Sequence, residues 1–163
     1  MAFNDVKVVT PAGISALPTV RWQTEAAATA ILAGEPVKLK VAGSPYVIPL
    51  ADAEPVVGTT TAVVGVTQCA STQTSALDGY VDVYVPLPGV QYAARAKTTS
   101  TFDTLAEINA LRGDRVVFDL TSGVFTVDVA AGDGSTNGLM IINGVASSAT
   151  CYFTIRDSAT YLN

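Results

Sequence analysis

The acidic side chains are the first candidates for chemistry in this chain. Two pairs of carboxylates could act as the general acid and base of a glycosidase-type mechanism: Asp78 with Asp82, and Asp119 with Asp128. Strand alternation, however, places Asp119 and Asp128 on one polar face beside Arg115, where a cross-strand ion pair explains them without catalysis. We therefore expect these carboxylates to have structural roles.

A run of oxygen-bearing residues, 133–138 (DGSTNG), matches the opening of a calcium-binding loop, with a glycine at its sixth position. The twelfth position of such a loop requires a glutamate that binds the ion through both oxygens, but here it is Gly144. A glycine-rich turn between two strands explains the run better. We expect no metal site in the protein.

The remaining residue types narrow the possible chemistry further. The chain contains no histidine, which removes the base of Ser-His-Asp and Cys-His mechanisms and the commonest transition-metal ligand. Cys69 and Cys151 are widely separated and flanked by strand-like sequence, so we expect two buried thiols and neither a disulfide nor a zinc site. No GxGxxG or GxxxxGK phosphate-binding motif occurs. We expect a protein that is not an enzyme and takes no cofactor.

Charge and hydropathy limit the possible partners. The nine Lys and Arg residues form no cluster and the net charge is −5, which argues against nucleic acid as a partner. No apolar stretch approaches the roughly 20 residues needed to span a bilayer, and the first ten residues lack a secretory signal. Charged residues make up 14% of the chain, below the roughly 25% of ordinary soluble domains. We therefore expect an unusually neutral surface on a protein made in a reducing cytoplasm.

Valine and threonine dominate the chain from residue 34 onward and favour β-strands. Strands are predicted at residues 35–41, 46–50, 62–68, 79–87, 90–96, 139–142 and 150–156. In the run from Tyr80 to Val85, three valines alternate with Tyr, Asp and Tyr. This predicts a strand with one face in the core and the other exposed to solvent or in contact with a partner. Residues 34–163 are thus predicted to form a compact antiparallel β-sandwich or β-barrel.

One short helix is predicted at about residues 104–112. Thr104 and Glu107 form a capping-box pattern, and Gly113 lies where a left-handed C-terminal cap is expected. Leu105, Ile108 and Leu111 share one helix face. Because so short a helix is unstable alone in water, we expect it to dock on the sheet through that face.

Residues 115–130 predict a β-hairpin with a two-residue loop at Ser122-Gly123. This loop gives three apolar pairs, which are Leu120 with Phe125, Phe118 with Val127, and Val116 with Val129. A one-residue slip would place Asp119 opposite Phe125 and mix polar with apolar partners. The first register is therefore predicted.

Residues 1–33 differ from the rest of the chain. Pro11, Gly13 and Pro18 interrupt them, and their apolar residues follow no sustained period. We predict an extended N-terminal arm that either lacks fixed structure or is held on a neighbour's surface. The residues predicted to anchor it on a partner are Phe3, Val8, Ile14, Leu17 and Trp22.

Three segments of the chain resemble the capsid decoration (cement) proteins of tailed bacteriophages: residues 34–39 (GEPVKL), 63–68 (VVGVTQ) and 78–90 (DGYVDVYVPLPGV). The resemblance lies in the order of strands and turns and in the composition, over roughly residues 26–96. It implies a compact β-domain, often a homotrimer, that sits on local threefold positions of the shell. Its implied partner is the major capsid protein, and its implied location is the capsid exterior of the virion.

Other functions remain open from the residues alone. A tail-tube or head-fibre subunit shares the β-richness and the need for self-association. A carbohydrate-binding β-sandwich would need exposed aromatic platforms, whereas the one Trp of this chain lies in the predicted arm. An enzyme would need an activity that disappears when Asp82 or Asp119 is changed to Asn.

Overall fold

The computed structural model of the protein describes residues 6–9, 16–58 and 62–161. Within these residues, eleven strands form two antiparallel sheets accompanied by one α-helix. The arrangement is that of a compact β-sandwich, and the sheets are not closed into a barrel. The predicted mainly-β fold is therefore confirmed, and the barrel alternative is removed.

The strands are β1 (Lys7–Val9), β2 (Thr19–Thr24), β3 (Pro36–Leu39), β4 (Val47–Pro49), β5 (Val63–Thr67), β6 (Gly79–Tyr84), β7 (Gln91–Arg95), β8 (Arg115–Thr121), β9 (Val124–Asp128), β10 (Leu139–Val145) and β11 (Thr150–Ile155). The helix α1 spans Leu105–Leu111, and short 3-10 helices span Thr99–Thr101, Ala146–Ser148 and Asp157–Ala159. The six-stranded sheet has the order β1-β7-β11-β10-β8-β9, and the five-stranded sheet the order β2-β6-β5-β3-β4. Every strand predicted beyond residue 34 is present.

Two hydrophobic clusters form the core. The larger one joins both sheets and contains the buried aromatic side chains Tyr92, Phe102, Phe118, Phe125 and Phe153. The smaller one is aliphatic and belongs to the five-stranded sheet and the loop before β3: Ile31, Val37, Leu39, Val47, Val64, Val81 and Val83. An isolated bridge between Gln23 and Tyr46 brings the two end strands of this sheet order together. The sheet therefore bends around its own small cluster.

The alternation predicted in β6 is confirmed, because Val81 and Val83 are buried, whereas Tyr80 before them is exposed and Asp82 between them is half-buried. The capping box of α1 is also confirmed: Thr104 Oγ1 accepts from the Glu107 backbone, and the Glu107 carboxylate accepts from the Thr104 backbone.

The docking face of α1 differs from the prediction. Ile108 is fully buried and Leu111 partly buried, but Leu105 is exposed. Leu105 is the first residue of the helix, ahead of the turn that carries Ile108 into the core. A shared helix face buries only the positions that lie above a neighbouring element, so including Leu105 in the buried set was wrong.

The predicted hairpin register is confirmed for Phe118 with Val127 and for Leu120 with Phe125. Both loop residues have positive φ, 54° at Ser122 and 77° at Gly123, the geometry that suits a two-residue hairpin loop. The third predicted pair, Val116 with Val129, was wrong. β9 ends at Asp128, and the Val129 N–H turns back to the Val127 carbonyl.

The described part of the predicted arm is extended and lies on the chain's own sheets. β1 pairs with β7 over three residues, and β2 pairs with β6 over six. An exposed sheet edge presents unpaired N–H and C=O groups, and a segment of the same chain can pair with them without recruiting a partner. The division of the chain at residue 33 stays a prediction.

Candidate functional site

The five residues predicted to bind a partner fall in different settings. Phe3 and Ile14 lie outside the described residues. Val8 is half-buried in β1 against the larger cluster, and Leu17 is buried in that cluster. Trp22 is half-buried against the smaller cluster. The three described side chains thus hold the segment on its own chain, and their contact with a partner stays a prediction.

The carboxylates of the hairpin are held by a lysine. Lys97 Nζ lies 2.6 Å from Asp119 Oδ1 and 3.1 Å from Asp128 Oδ2. Burial raises the pKa of Asp119, but the hydrogen bond from Lys97 and the other hydrogen bonds to the carboxylate outweigh it, so the pKa is lowered. The prediction that Arg115 supplies the cation was wrong, because Arg115 pairs with Asp133 at 2.7 Å. The structural role predicted for these carboxylates fits this geometry.

The run 133–138 is a turn held by its own hydrogen bonds. Asp133 accepts from the side chain and the backbone N–H of Arg115, which lowers the pKa of its carboxyl group to about 2. Asn137 Nδ2 donates to the carbonyl oxygens of Arg115 and Gly132. The side chains of Asp133 and Asn137 therefore hold the turn in place against Arg115 and Gly132. Over residues 6–9, 16–58 and 62–161, no group of three or more acidic or cysteine side chains is arranged to hold a metal ion.

The second carboxylate pair does not face a shared cleft. Asp82 binds Arg21 through both oxygens, at 2.8 and 3.1 Å, and this hydrogen bonding lowers the pKa of Asp82. Asp78 instead accepts from the Tyr46 hydroxyl at 2.6 Å and from the Ala26 N–H at 2.8 Å. Asp82 therefore joins two strands, and Asp78 joins three loops.

These three loops form one surface, which we call the loop cap: residues 25–34, 40–46 and 68–78. Besides the contacts of Asp78, an ion pair joins Lys40 to Glu25, and the Ala27 N–H donates to the Thr74 carbonyl at 2.9 Å. The loops are distant in sequence, and these bonds hold them together over the smaller hydrophobic cluster.

The loop cap exposes large aliphatic side chains. Leu32 is 55% exposed, Val41 63% and Leu77 68%. The cap contains only three charged residues, Glu25, Lys40 and Asp78, and each of them is bonded within the cap. The donors to Asp78 are neutral, so a partner that covers this surface desolvates one carboxylate without a counter-ion, which keeps its hydrogen bonds within the cap. The cores of protein interfaces are likewise depleted in charge.

Sequence reasoning did not single out Leu32, Val41 or Leu77. The available signal is clear only for Leu77, an isolated large residue among Ala, Ser and Thr outside every predicted strand, whereas Leu32 directly follows Ile31. Val41 was assigned to the end of a strand, but β3 ends at Leu39.

The two cysteines differ. Cys151 is buried in the larger cluster, and burial raises the pKa of its thiol to about 12. Cys69 is exposed in the loop cap, so the prediction of two buried thiols was wrong for it. β5 ends at Thr67, and the chain leaves the sheet before Cys69.

No protein-family model matches the chain, and no curated protein matches it either. In the described ranges, no helix has the length and apolar character that crossing a membrane requires. A functional proposal must therefore start from the geometry of the chain itself.

Proposed function

We propose that this protein is a structural virion protein that binds the outer surface of a tailed-phage capsid and stabilises contacts between major capsid subunits. The observation that carries the proposal is the loop cap, where Leu32, Val41 and Leu77 face solvent on loops tied by hydrogen bonds. Covering these side chains with a partner would gain free energy, which favours the loop cap as the contact surface. The resemblance of residues 34–39, 63–68 and 78–90 to decoration proteins supports the choice of partner.

The energetics of a capsid favour such a ligand. A protein that binds the assembled lattice, and not the separated subunits, stabilises the lattice by mass action. If the protein is a homotrimer, three loop caps bind together, and multivalency raises the overall affinity above that of one contact. Weak, uncharged contacts are then sufficient.

The N-terminal segment supplies a proposed second contact. β1 is the end strand of the six-stranded sheet order and contains only three residues. End strands are the places where sheets accept a strand from another chain. Of the described anchor residues, only Val8 belongs to this second contact, because Leu17 is buried in the chain's own core and Trp22 lies on β2 of the other sheet.

The test mixes the purified protein with undecorated shells of its own major capsid protein and images them. Density at symmetry-related lattice positions is the expected result, and its absence would contradict the proposal. Before shells are added, the protein should remain a small oligomer, whereas assembly into rods would favour a tail-tube subunit.

A matched pair of variants locates the contact. Leu77→Glu places a charge in the loop cap and should lower the affinity for shells at least tenfold. Leu105→Glu makes the same change at an equally exposed leucine on α1 and should leave the affinity unchanged. If both variants bound shells equally well, the contact would have to lie outside the loop cap.

A further inference from the structure

A pocket of about 210 Å³ opens between the loop cap and strands β2 and β4. Its apolar walls come from both regions and include Ala28, Ile31, Val47 and Pro49. Three polar residues, Thr24, Thr29 and Gln73, also line it, and no charged residue is among its lining. The pocket is therefore neutral and mostly apolar, with polar groups at three points.

Two of these side chains, Thr24 and Gln73, each have a buried oxygen without a hydrogen-bond partner. Thr24 is 1% exposed, and its hydroxyl makes no hydrogen bond within the described protein. The Oε1 atom of Gln73 is buried and likewise unpartnered, while its Nε2 donates to the Thr29 carbonyl at 3.1 Å. Buried polar groups normally have a partner, because leaving one unsatisfied costs folding free energy.

The position of Gln73 is fixed by the backbone around it. A Cβ atom at Gly79 would lie 2.1 Å from the Gln73 backbone nitrogen, so only glycine lets the two segments approach this closely. The Thr72 N–H also donates to the Tyr80 carbonyl at 3.0 Å. The unpartnered oxygen of Gln73 is thus held in place by the fold.

We propose that this pocket receives a neutral carboxamide, the side chain of an Asn or Gln residue presented by the capsid subunit. This inference rests on the proposed function. The carboxamide NH₂ donates to Gln73 Oε1, and its carbonyl accepts from the Thr24 hydroxyl. A charged side chain is disfavoured because no counter-ion lines the pocket. The volume is below the roughly 300 Å³ of small-molecule sites, which suits a single side chain.

The pocket chemistry is tested by titrating the full chain with propionamide and following the methyl NMR signals of Ile31 and Val47. Saturable shifts are expected with propionamide and none with propionate, which has the same shape but a charge. Thr24→Val removes the hydroxyl at nearly constant volume and should weaken propionamide binding at least tenfold. Thr19→Val, the same change at the exposed start of β2, should have no effect.

A second variant tests the pocket independently, in case Thr24→Val does not fold. Gln73→Met removes the carbonyl oxygen at similar length and should also weaken propionamide binding at least tenfold. Absence of propionamide shifts in the wild-type protein, or equal shifts with propionate, would overturn the assignment of the pocket.

Shell binding tests the source of the carboxamide. Thr24→Val should lower the affinity for shells at least fivefold relative to Thr19→Val. If Thr24→Val decorates shells like the wild-type protein, the capsid carboxamide is overturned while the proposed function stands. If the wild-type protein ignores shells, both the proposed function and the capsid source fail, and propionamide binding separately decides whether the pocket is an amide site.

Discussion

In the six-stranded sheet most large apolar side chains point into the core, with Met140 and Val145 of β10 exposed, whereas in the loop cap three large apolar side chains face solvent. Phe118 and Phe153 of that sheet are fully buried and meet edge to face at 5.5 Å between ring centroids. Leu32 and Leu77 of the loop cap are more than half exposed. Burial of large side chains therefore stabilises mainly the first of these two regions, whereas in the loop cap Ile31 is buried but Leu32 and Leu77 contribute little.

The two regions also differ in how they use charge. Asp119 is a buried carboxylate of the hairpin and is paired with Lys97. The few charges of the loop cap lie at its surface and connect one loop to the next. The difference indicates a division of labour, in which the six-stranded sheet supplies stability and the loop cap keeps a surface for contact. The following substitutions test that division.

Phe118→Ala should have the largest effect. It removes a fully buried ring that contacts Phe125 and Phe153, and such truncations cost about 3–5 kcal/mol of unfolding free energy. Urea unfolding of both proteins measures the loss. The control Leu105→Ala, at an exposed position, should stay within about 0.5 kcal/mol of the wild-type value. A loss below about 1 kcal/mol for Phe118→Ala would contradict the proposed packing.

Lys97→Met should have the next largest effect. It leaves Asp119 buried without its cation, and an unpaired buried group costs about 1–3 kcal/mol. Since the lysine side chain is itself 44% exposed, we expect the lower part of that range. Adding Asp119→Asn should restore part of the stability, because the charge is then removed. The double-mutant cycle in urea would show no coupling if the ion pair were unimportant.

The ion pair between Asp133 and Arg115 should make a smaller, pH-dependent contribution. The folded pKa of Asp133 is about 2, below the roughly 3.9 of an unfolded Asp, so its contribution is complete above about pH 4. It is lost as the pH falls from about 4 through 2. Replacing Arg115 with Met should flatten the stability profile in that interval. If the unfolding free energy of both proteins had the same slope between about pH 4 and 2, the ion pair would not be the cause of the pH dependence.

Leu77→Ser should have the smallest effect on stability. The side chain is mostly exposed, so the unfolding free energy should change by no more than about 0.5 kcal/mol. Binding to shells should nevertheless weaken, since the lost surface belongs to the contact. A large stability loss with unchanged binding would reverse the roles given to the two regions.

The parts of the fold that local chemistry determines could be predicted from the sequence. Strand positions follow from period-two alternation, and the start of α1 follows from the Thr104–Glu107 capping box. The hairpin register was predictable because only one register pairs apolar residues such as Phe118 and Val127. Each of these signals lies within about 15 residues of sequence.

The contacts that long-range folding creates could not be predicted. Lys97 meets Asp119 only because the chain after β7 runs beside β9, where the Lys97 N–H donates to the Val127 carbonyl. Sequence distance favoured Arg115 instead. The loop cap likewise joins loops up to about 50 residues apart, as in the bond between Ala26 and Asp78. Nor does the local sequence tell the buried Ile31 from the exposed Leu32 that follows it, since only the folded contacts separate them.

The most direct test of the proposed role is a cryo-electron microscopy map of shells decorated with the wild-type protein, at a resolution that orients the two sheets. The loop cap, with Leu32 and Leu77, should lie against the capsid surface. A map in which the protein contacts the shell through another surface and the loop cap faces solvent would contradict the account.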